Sequence, residues 1–360
     1  MIITYTPRFY NPTKIFRVMY ETQERKLAFN AKSLEEWAKW REELRRKLVE
    51  LLGGFPEEKT PLSPETLEQK EYPLWIREKV IYQSTPYSTV LAWILIPKRG
   101  RPPFPAVIAI HGHGYGKDSI VGIKEDGTER SQPEGYQKDF ALELAKRGFL
   151  VVAPEQACFG ERREKEDSGK GPGANSCHLG TVWAFMMGKT MVGIRVWDIM
   201  RTIDYLETRP DVDPGRIGCM GISGGGTTTL FTTALDDRIR VAVVSGYLNT
   251  FKDSLLSVRH CICNFIPGIL KYAEMYDVAA LIAPKPLLAE AGTKDPIFPI
   301  RATLKAYQYL KKVYSLLGVP ERLDIDVFEG GHEISGRKAY DWLSKWLSIK
   351  DPDELLKPKA

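Results

Sequence analysis

The stretch Arg216-Ile217-Gly218-Cys219-Met220-Gly221-Ile222-Ser223-Gly224-Gly225-Gly226 constrains the fold more than any other part of the chain. A short apolar run, Ile217 to Met220, leads into a G-x-S-x-G motif, and small and β-branched residues from Thr227 to Leu235 follow. The pattern reads as strand, sharp turn, helix. Such a turn forces the serine into a strained backbone conformation, so Gly221 and Gly225 stand beside it where a Cβ would clash. Ser223 is then raised above the strand end, with the amides of the following helix facing it. A glycine-rich phosphate loop does not fit, because no Gly-Lys-Ser/Thr follows.

The rest of the chain supplies strands and helices in alternation. Strands are expected at Pro105 to Ile110, Phe149 to Ala153, Ile217 to Met220, Ile239 to Val244, Pro286 to Ala291 and Leu323 to Phe328. Helices are expected at Gly135 to Arg147, Met191 to Thr208, Gly224 to Leu235, Ile300 to Leu317 and Gly336 to Leu347. This implies an α/β fold with a mostly parallel central sheet covered by helices on both faces. Tyr72 to Gln83 and Thr89 to Ile96 read as an antiparallel opening to that sheet. Residues 1 to about 30 show no period. Ser33 to Leu52 is an amphipathic helix with a capping box at Ser33-Leu34-Glu35-Glu36 and a stripe of Trp37, Trp40, Leu44, Leu48 and Leu51. The expected organisation is an N-terminal helical extension over 1–70, packed on a catalytic domain over 71–360. Two stretches of that domain, 156–190 and 245–277, are too long for plain connections and follow strand ends, so they read as walls and lid of a pocket.

A serine hydroxyl needs a base, and the base an orienting acid. The chain has five histidines. His332 lies in Glu329-Gly330-Gly331-His332-Glu333, directly after the last expected strand, and is the candidate base; His178 and His260 lie in the insertions and are the alternatives. Asp295, in the turn after Leu287 to Ala291, is the candidate acid, with Glu290 as fallback. The oxyanion of an acyl-transfer intermediate needs two donors already in place. The N–H of Gly224 is one candidate. The other is the N–H of His113 in His111-Gly112-His113-Gly114-Tyr115-Gly116, with Gly114 one residue away. Trp183, Phe185, Met186, Met187 and Phe265 are candidates for an apolar pocket lining, and equally for the core of the insertions. Arg162 reads as an exposed arginine among glutamates, with steering of an anionic substrate as the other reading.

Net charge is only +5 over 360 residues, with acids and bases interleaved. No basic tract points to nucleic acid or to an anionic membrane. Met1 to Arg8 lacks a basic segment before an apolar run, and no stretch of about 20 apolar residues offers a membrane span. Cytoplasmic location is the expectation, and five cysteines fit a reducing compartment. Cys219 reads as a small core residue. Cys261 and Cys263, with His260 beside them and His178 next to Cys177, match no zinc spacing. No metal and no cofactor are therefore expected.

Taken together, these residues resemble the α/β-hydrolase superfamily, and within it the branch of acetyl xylan esterases, dienelactone hydrolases and prolyl oligopeptidase-type catalytic domains. The resemblance rests on His111 to Gly114, Val196 to Leu206, Arg209 to Gly218, the serine motif, Gly292 to Asp295 and Gly330 to His332, and spans about Tyr72 to Leu347. The order Ser223, Asp295, His332 is the one that superfamily uses. The resemblance implies a serine carboxylesterase acting on short-chain esters, acetyl esters of carbohydrates foremost, with a small-molecule ester as substrate. Too few residues precede Pro105 for a propeller, and serine stands where dienelactone hydrolases carry cysteine. A small-peptide or amide hydrolase using the same residues is the alternative, and a non-catalytic ligand receptor on the same scaffold is another. A homo-oligomer is left open.

Overall fold

The computed structural model describes residues 10–348. Nine strands form one sheet: β1 (Glu65–Glu71), β2 (Trp75–Thr85), β3 (Ser88–Pro97), β4 (Phe104–Ile110), β5 (Leu150–Pro154), β6 (Val212–Ile222), β7 (Ile239–Ser245), β8 (Leu287–Gly292) and β9 (Leu323–Phe328). Their spatial order is β1-β2-β3-β5-β4-β6-β7-β8-β9. The first three are antiparallel, β3 pairs antiparallel with β5, and every later pairing is parallel. The order reverses around β4, so the loops after β4 and β6 open on one crevice at the carboxyl edge, where open α/β sheets bind ligands.

Ten helices accompany the sheet among the described residues: α1 (Pro12–Thr22), α2 (Leu34–Leu51), α3 (Phe140–Lys146), α4 (Lys165–Ser168), α5 (Cys177–Met186), α6 (Met191–Thr208), α7 (Gly224–Leu235), α8 (Met275–Ala280), α9 (Ile300–Leu316) and α10 (Ala339–Leu347). Burial on both faces explains the continuous apolar runs of the parallel strands. In β7, Ala242 and Val244 join a core with α2, α7 and α9, while Val241 and Val243 join one with α3 and α10. A third cluster sets Ile217 and Cys219 of β6 against Ile199, Ile203 and Leu206 of α6. None of the described helices is long and apolar enough to cross a membrane.

The helix α2 begins where the serine cap says it should: the Ser33 hydroxyl accepts from the Glu36 amide at 3.1 Å. Its Trp40, Leu44 and Leu48 are buried in the same cluster as Leu230 and Phe231 of α7.

Four features depart from the sequence reading. α1, capped by the Asn11 side chain, occupies a stretch in which no period was visible. β1 takes Glu65–Glu71 into the sheet, inside the span assigned to the N-terminal extension; all seven of its residues are exposed, so it carries no alternation to read. α3 starts at Phe140 rather than Gly135, because Lys138 and Asp139 adopt φ +48° and Tyr136 and Gln137 are committed to a loop. α10 starts at Ala339, not Gly336. Met1 to Arg8 lies outside the described residues.

Leu48 is fully buried. Leu48→Ala is expected to lower the unfolding free energy by about 2–5 kcal/mol through the cavity it leaves, read as a drop in the urea midpoint with the urea dependence unchanged.

Candidate active site

Ser223 sits at the junction of β6 and α7 with φ +58° and ψ −121°. Its amide donates to the Ser245 carbonyl of β7 at 3.1 Å, and its carbonyl accepts from the Thr227 amide at 2.9 Å. The turn is as crowded as its glycines imply. A Cβ on Gly225 would lie 2.0 Å from the Ile110 carbonyl oxygen, and one on Gly221 would lie 2.5 Å from that of Gly225. Gly224 faces the imidazole of His113, whose Nδ1 would be 3.0 Å from a Cβ there.

The structure brings Asp295 and His332 together. His332 Nδ1 is 2.7 Å from Asp295 Oδ2, and Asp295 Oδ1 accepts from the amides of Ile297 (2.8 Å) and Phe298 (3.0 Å). With Nδ1–H donated to the carboxylate, Nε2 is left as the basic nitrogen, and it is buried without a hydrogen-bond partner. The ring lies between Phe298 and Tyr136, with centroids 5.6 and 5.5 Å away. It also rests on Gly246, one residue past the Ser245 carbonyl that holds Ser223. The acid and histidine loops are tied to each other: Lys294 N donates to Gly330 O at 2.8 Å, and a Cβ on Gly292 would meet Gly331 O at 2.1 Å. The fallback acid Glu290 faces elsewhere. It accepts from the Gly336 amide at 2.8 Å, and burial raises its pKa.

The loop after β4 is held from three sides. Gln137 Oε1 accepts from Gly112 N (2.6 Å), the Tyr136 hydroxyl donates to His113 O (2.6 Å), and Gln156 Nε2 donates to His111 O (2.5 Å). Among the described residues, the amides of His113 and Gly224 have no hydrogen-bond acceptor. Beneath the loop, His111 is fully buried with Nε2 3.1 Å from Glu155 Oε1. Lys117 N donates to the same carboxylate at 2.9 Å, and Lys117 Nζ lies 3.4 Å from it. Burial alone would raise the pKa of Glu155, but the His111 hydrogen bond and the Lys117 charge more than reverse this and hold it at about 2.

A cavity of about 550 Å³ opens beside His113 and Gly114. Tyr115, Tyr136 and Gln137 line it with Lys124, Glu125, Asp126, Arg130 and Glu134. This wall from the 115–137 segment was missed by sequence reasoning, since nothing in a run of mixed charges separates a wall from a solvated loop. The apolar candidates lie differently. Trp183, Met186 and Met187 are largely exposed on α5, and Phe265 packs against the largest core cluster. Phe185 is half-buried. Of the alternative histidines, His178 is exposed, whereas His260 lies 6.4 Å from His113 and 6.0 Å from Phe298, ring to ring. Arg162 corrects its expectation: it is half-buried, donating to Asp198 Oδ2 at 2.8 Å and Glu155 O at 2.9 Å, so it is not an exposed residue free to steer a substrate.

Comparison with known proteins gives concordant matches. The profile of the Abhydrolase family matches residues 5–345. "Putative hydrolase YtaP" of Bacillus subtilis is 30% identical over 319 residues, covering 85% of this chain and all of that protein. Among solved structures, a "putative acetyl xylan esterase" from Bacteroides fragilis superposes with a TM-score of 0.78 at 19% identity, over 98% of this chain and 92% of its own. A glucuronoyl esterase from Solibacter usitatus superposes with a TM-score of 0.65 at 16% identity, over 91% and 96%.

The ordinary pKa of a free glutamate, 4.5, lies above that of folded Glu155. Its stabilising contribution is therefore complete above about pH 4.5 and is lost as pH falls towards about 2. Urea midpoints measured at pH 7, 4 and 3 should show Glu155→Gln already weakened at pH 7 and declining less steeply in acid than the parent. Equal slopes would mean that other carboxylates carry the acid sensitivity.

Proposed function

The chain belongs to the Abhydrolase family, and on that premise we propose that it is a serine carboxylesterase for short-chain esters, acetyl esters of carbohydrates foremost. The carrying observation is the 2.7 Å contact of His332 with Asp295, beside a serine held at φ +58° on the β6–α7 elbow. In this reading Ser223 Oγ attacks the ester carbonyl while His332 Nε2 takes its proton. The same nitrogen returns that proton to the leaving alcohol and then activates water against the acyl-enzyme. Asp295 fixes the tautomer that leaves Nε2 basic and stabilises the imidazolium as it forms. The amides of His113 and Gly224 receive the oxyanion.

Two observations favour a hydroxyl-rich alcohol. The cavity beside His113 is lined by Tyr115 and Tyr136, whose rings suit the apolar faces of sugar rings, with charged side chains from the same segment around them. The proteins it superposes with are named as esterases of xylan acetyl groups and of glucuronoyl esters. The five free cysteines fit a reducing, cytoplasmic setting.

Hydrolysis of p-nitrophenyl esters and of acetylated xylo-oligosaccharides tests the reading. Ser223→Ala should lower kcat by roughly 10⁶-fold and Asp295→Asn by roughly 10⁴-fold, with the fold intact by circular dichroism. Acetyl should be preferred over octanoyl esters. A Ser223→Ala enzyme with parental activity, or a clear preference for long acyl chains, would sink the proposal.

A further inference from the structure

The esterase chemistry leaves a group of soft ligands beside the site without a role. His113 Nε2 and the Sγ atoms of Cys177, Cys261 and Cys263 all lie within 4.8 Å of one another. They come from three segments: the loop after β4, the first turn of α5, and the 245–277 insertion. We infer that these four atoms form a closed tetrahedral site for one zinc ion, which ties both insertions to the loop carrying His113.

Geometry is the first argument. Cys263 Sγ is 3.5 Å from His113 Nε2 and 3.3 Å from Cys261 Sγ. Around a tetrahedral zinc, with sulfur at about 2.3 Å and nitrogen at about 2.0 Å, neighbouring ligand atoms are roughly 3.5–3.8 Å apart. Two of the ligand–ligand distances therefore already lie near those of a zinc site, and all four atoms are gathered within 4.8 Å of one another. The donor set selects the metal. Three thiolates and one imidazole suit zinc and exclude the hard, oxygen-seeking cations. Four protein ligands leave no open position, so the ion is structural rather than a Lewis acid for the ester.

Charge is the second, independent argument. Arg195 of α6 is only 2% exposed. Its guanidinium donates to Cys263 Sγ (3.3 Å), Cys177 Sγ (3.4 Å) and the Ala157 carbonyl (2.9 Å). Among the described residues, no carboxylate pairs with it. A buried guanidinium needs a counter-charge, and three neutral thiols supply none. Three thiolates around a divalent ion carry one net negative charge, which Arg195 balances. Asn264 Nδ2 adds a further donor to Cys263 Sγ at 3.4 Å. Donors of this kind around metal-bound sulfur orient the ligands and tune affinity. Cys261 and His113 are partly exposed, which gives the ion a way in.

The spacing of Cys261 and Cys263 with the neighbouring His260, and of Cys177 with His178, matches no zinc pattern, so the sequence alone gives no sign of a metal. In the structure His178 is exposed, and the histidine of the cluster is His113, 150 residues from Cys263.

The test is metal content and ligation, neither of which depends on the esterase reading, since both can also be measured on inactive Ser223→Ala. Protein made without a polyhistidine tag or chelators should carry about one zinc per chain by mass spectrometry. X-ray absorption at the zinc edge should show three sulfurs and one nitrogen. Cys177→Ser and Cys263→Ser should each lower zinc content roughly fivefold or more, while Cys158→Ala and Cys219→Ala keep it. Removing the ion with a strong chelator should lower Tm, and restoring zinc should recover it. The inference is overturned by a reduced protein that takes up neither zinc nor cobalt, or by a Cys261–Cys263 disulfide in the fresh protein. It is equally overturned by another metal in the site, or by zinc retained in both cysteine variants. If those variants do not fold, the absorption spectrum of the parent decides, and an oxygen- or nitrogen-only shell overturns it.

Discussion

The close crossing of the β6–α7 turn over the end of β4 is the contact on which the site depends. Ser223 at φ +58° occupies a region that costs a side-chain-bearing residue on the order of 1–3 kcal/mol. That cost is offset by surroundings that allow no other path. β6 is paired on both sides, by β4 and β7, and the amide after Ile222 is committed to the Ser245 carbonyl. Gly225 passes so near the Ile110 carbonyl that only a hydrogen fits between them. The helix therefore begins directly over the β4 end, and Gly224, in its first turn, lies against the imidazole of His113. Loosening any one of these contacts would relax the serine and move the amide together.

Around that crossing, the protein spends buried polar groups freely. Tyr136, Gln137 and Gln156 each bond the backbone of the 111–114 loop, and Gln156 Oε1 in turn accepts from Thr228 of α7 at 2.6 Å. Glu155 with His111 and Lys117 forms a buried polar layer below. Such a network costs desolvation and repays it only when its members are satisfied. What it gains here is a fixed orientation for two backbone amides, which hydrophobic packing alone would not specify.

The elbow, the parallel strands and the meeting of Asp295 with His332 were legible because each rests on a local pattern. Glycines beside a serine, an apolar run, and a Gly-Gly-His after a strand reflect constraints acting within a few residues. Elements without such a signature were not legible. β1 is seven exposed polar residues whose pairing is dictated by β2, and α3 loses its expected first turn because Tyr136 and Gln137 serve a loop some 25 residues earlier in the chain. Arg162 looks solvated among glutamates, yet its partner is Asp198 on α6. The cluster of His113 with three cysteines is the extreme case. Its members are adjacent only after three loops converge, and the spacing of Cys261 and Cys263 alone carries no coordination geometry.

That convergence bears on what the two insertions do. A lid would meet the site through apolar contacts that can open, but these insertions meet it through His113. Phe159 of the first stacks edge-on against the His113 ring at 5.0 Å, and Cys177 lies in the same first insertion, while Cys261 and Cys263 of the second also reach that ring. The ring also lies against Gly224, where a Cβ would come within 3.0 Å of its Nδ1. On these contacts both insertions converge on the loop after β4.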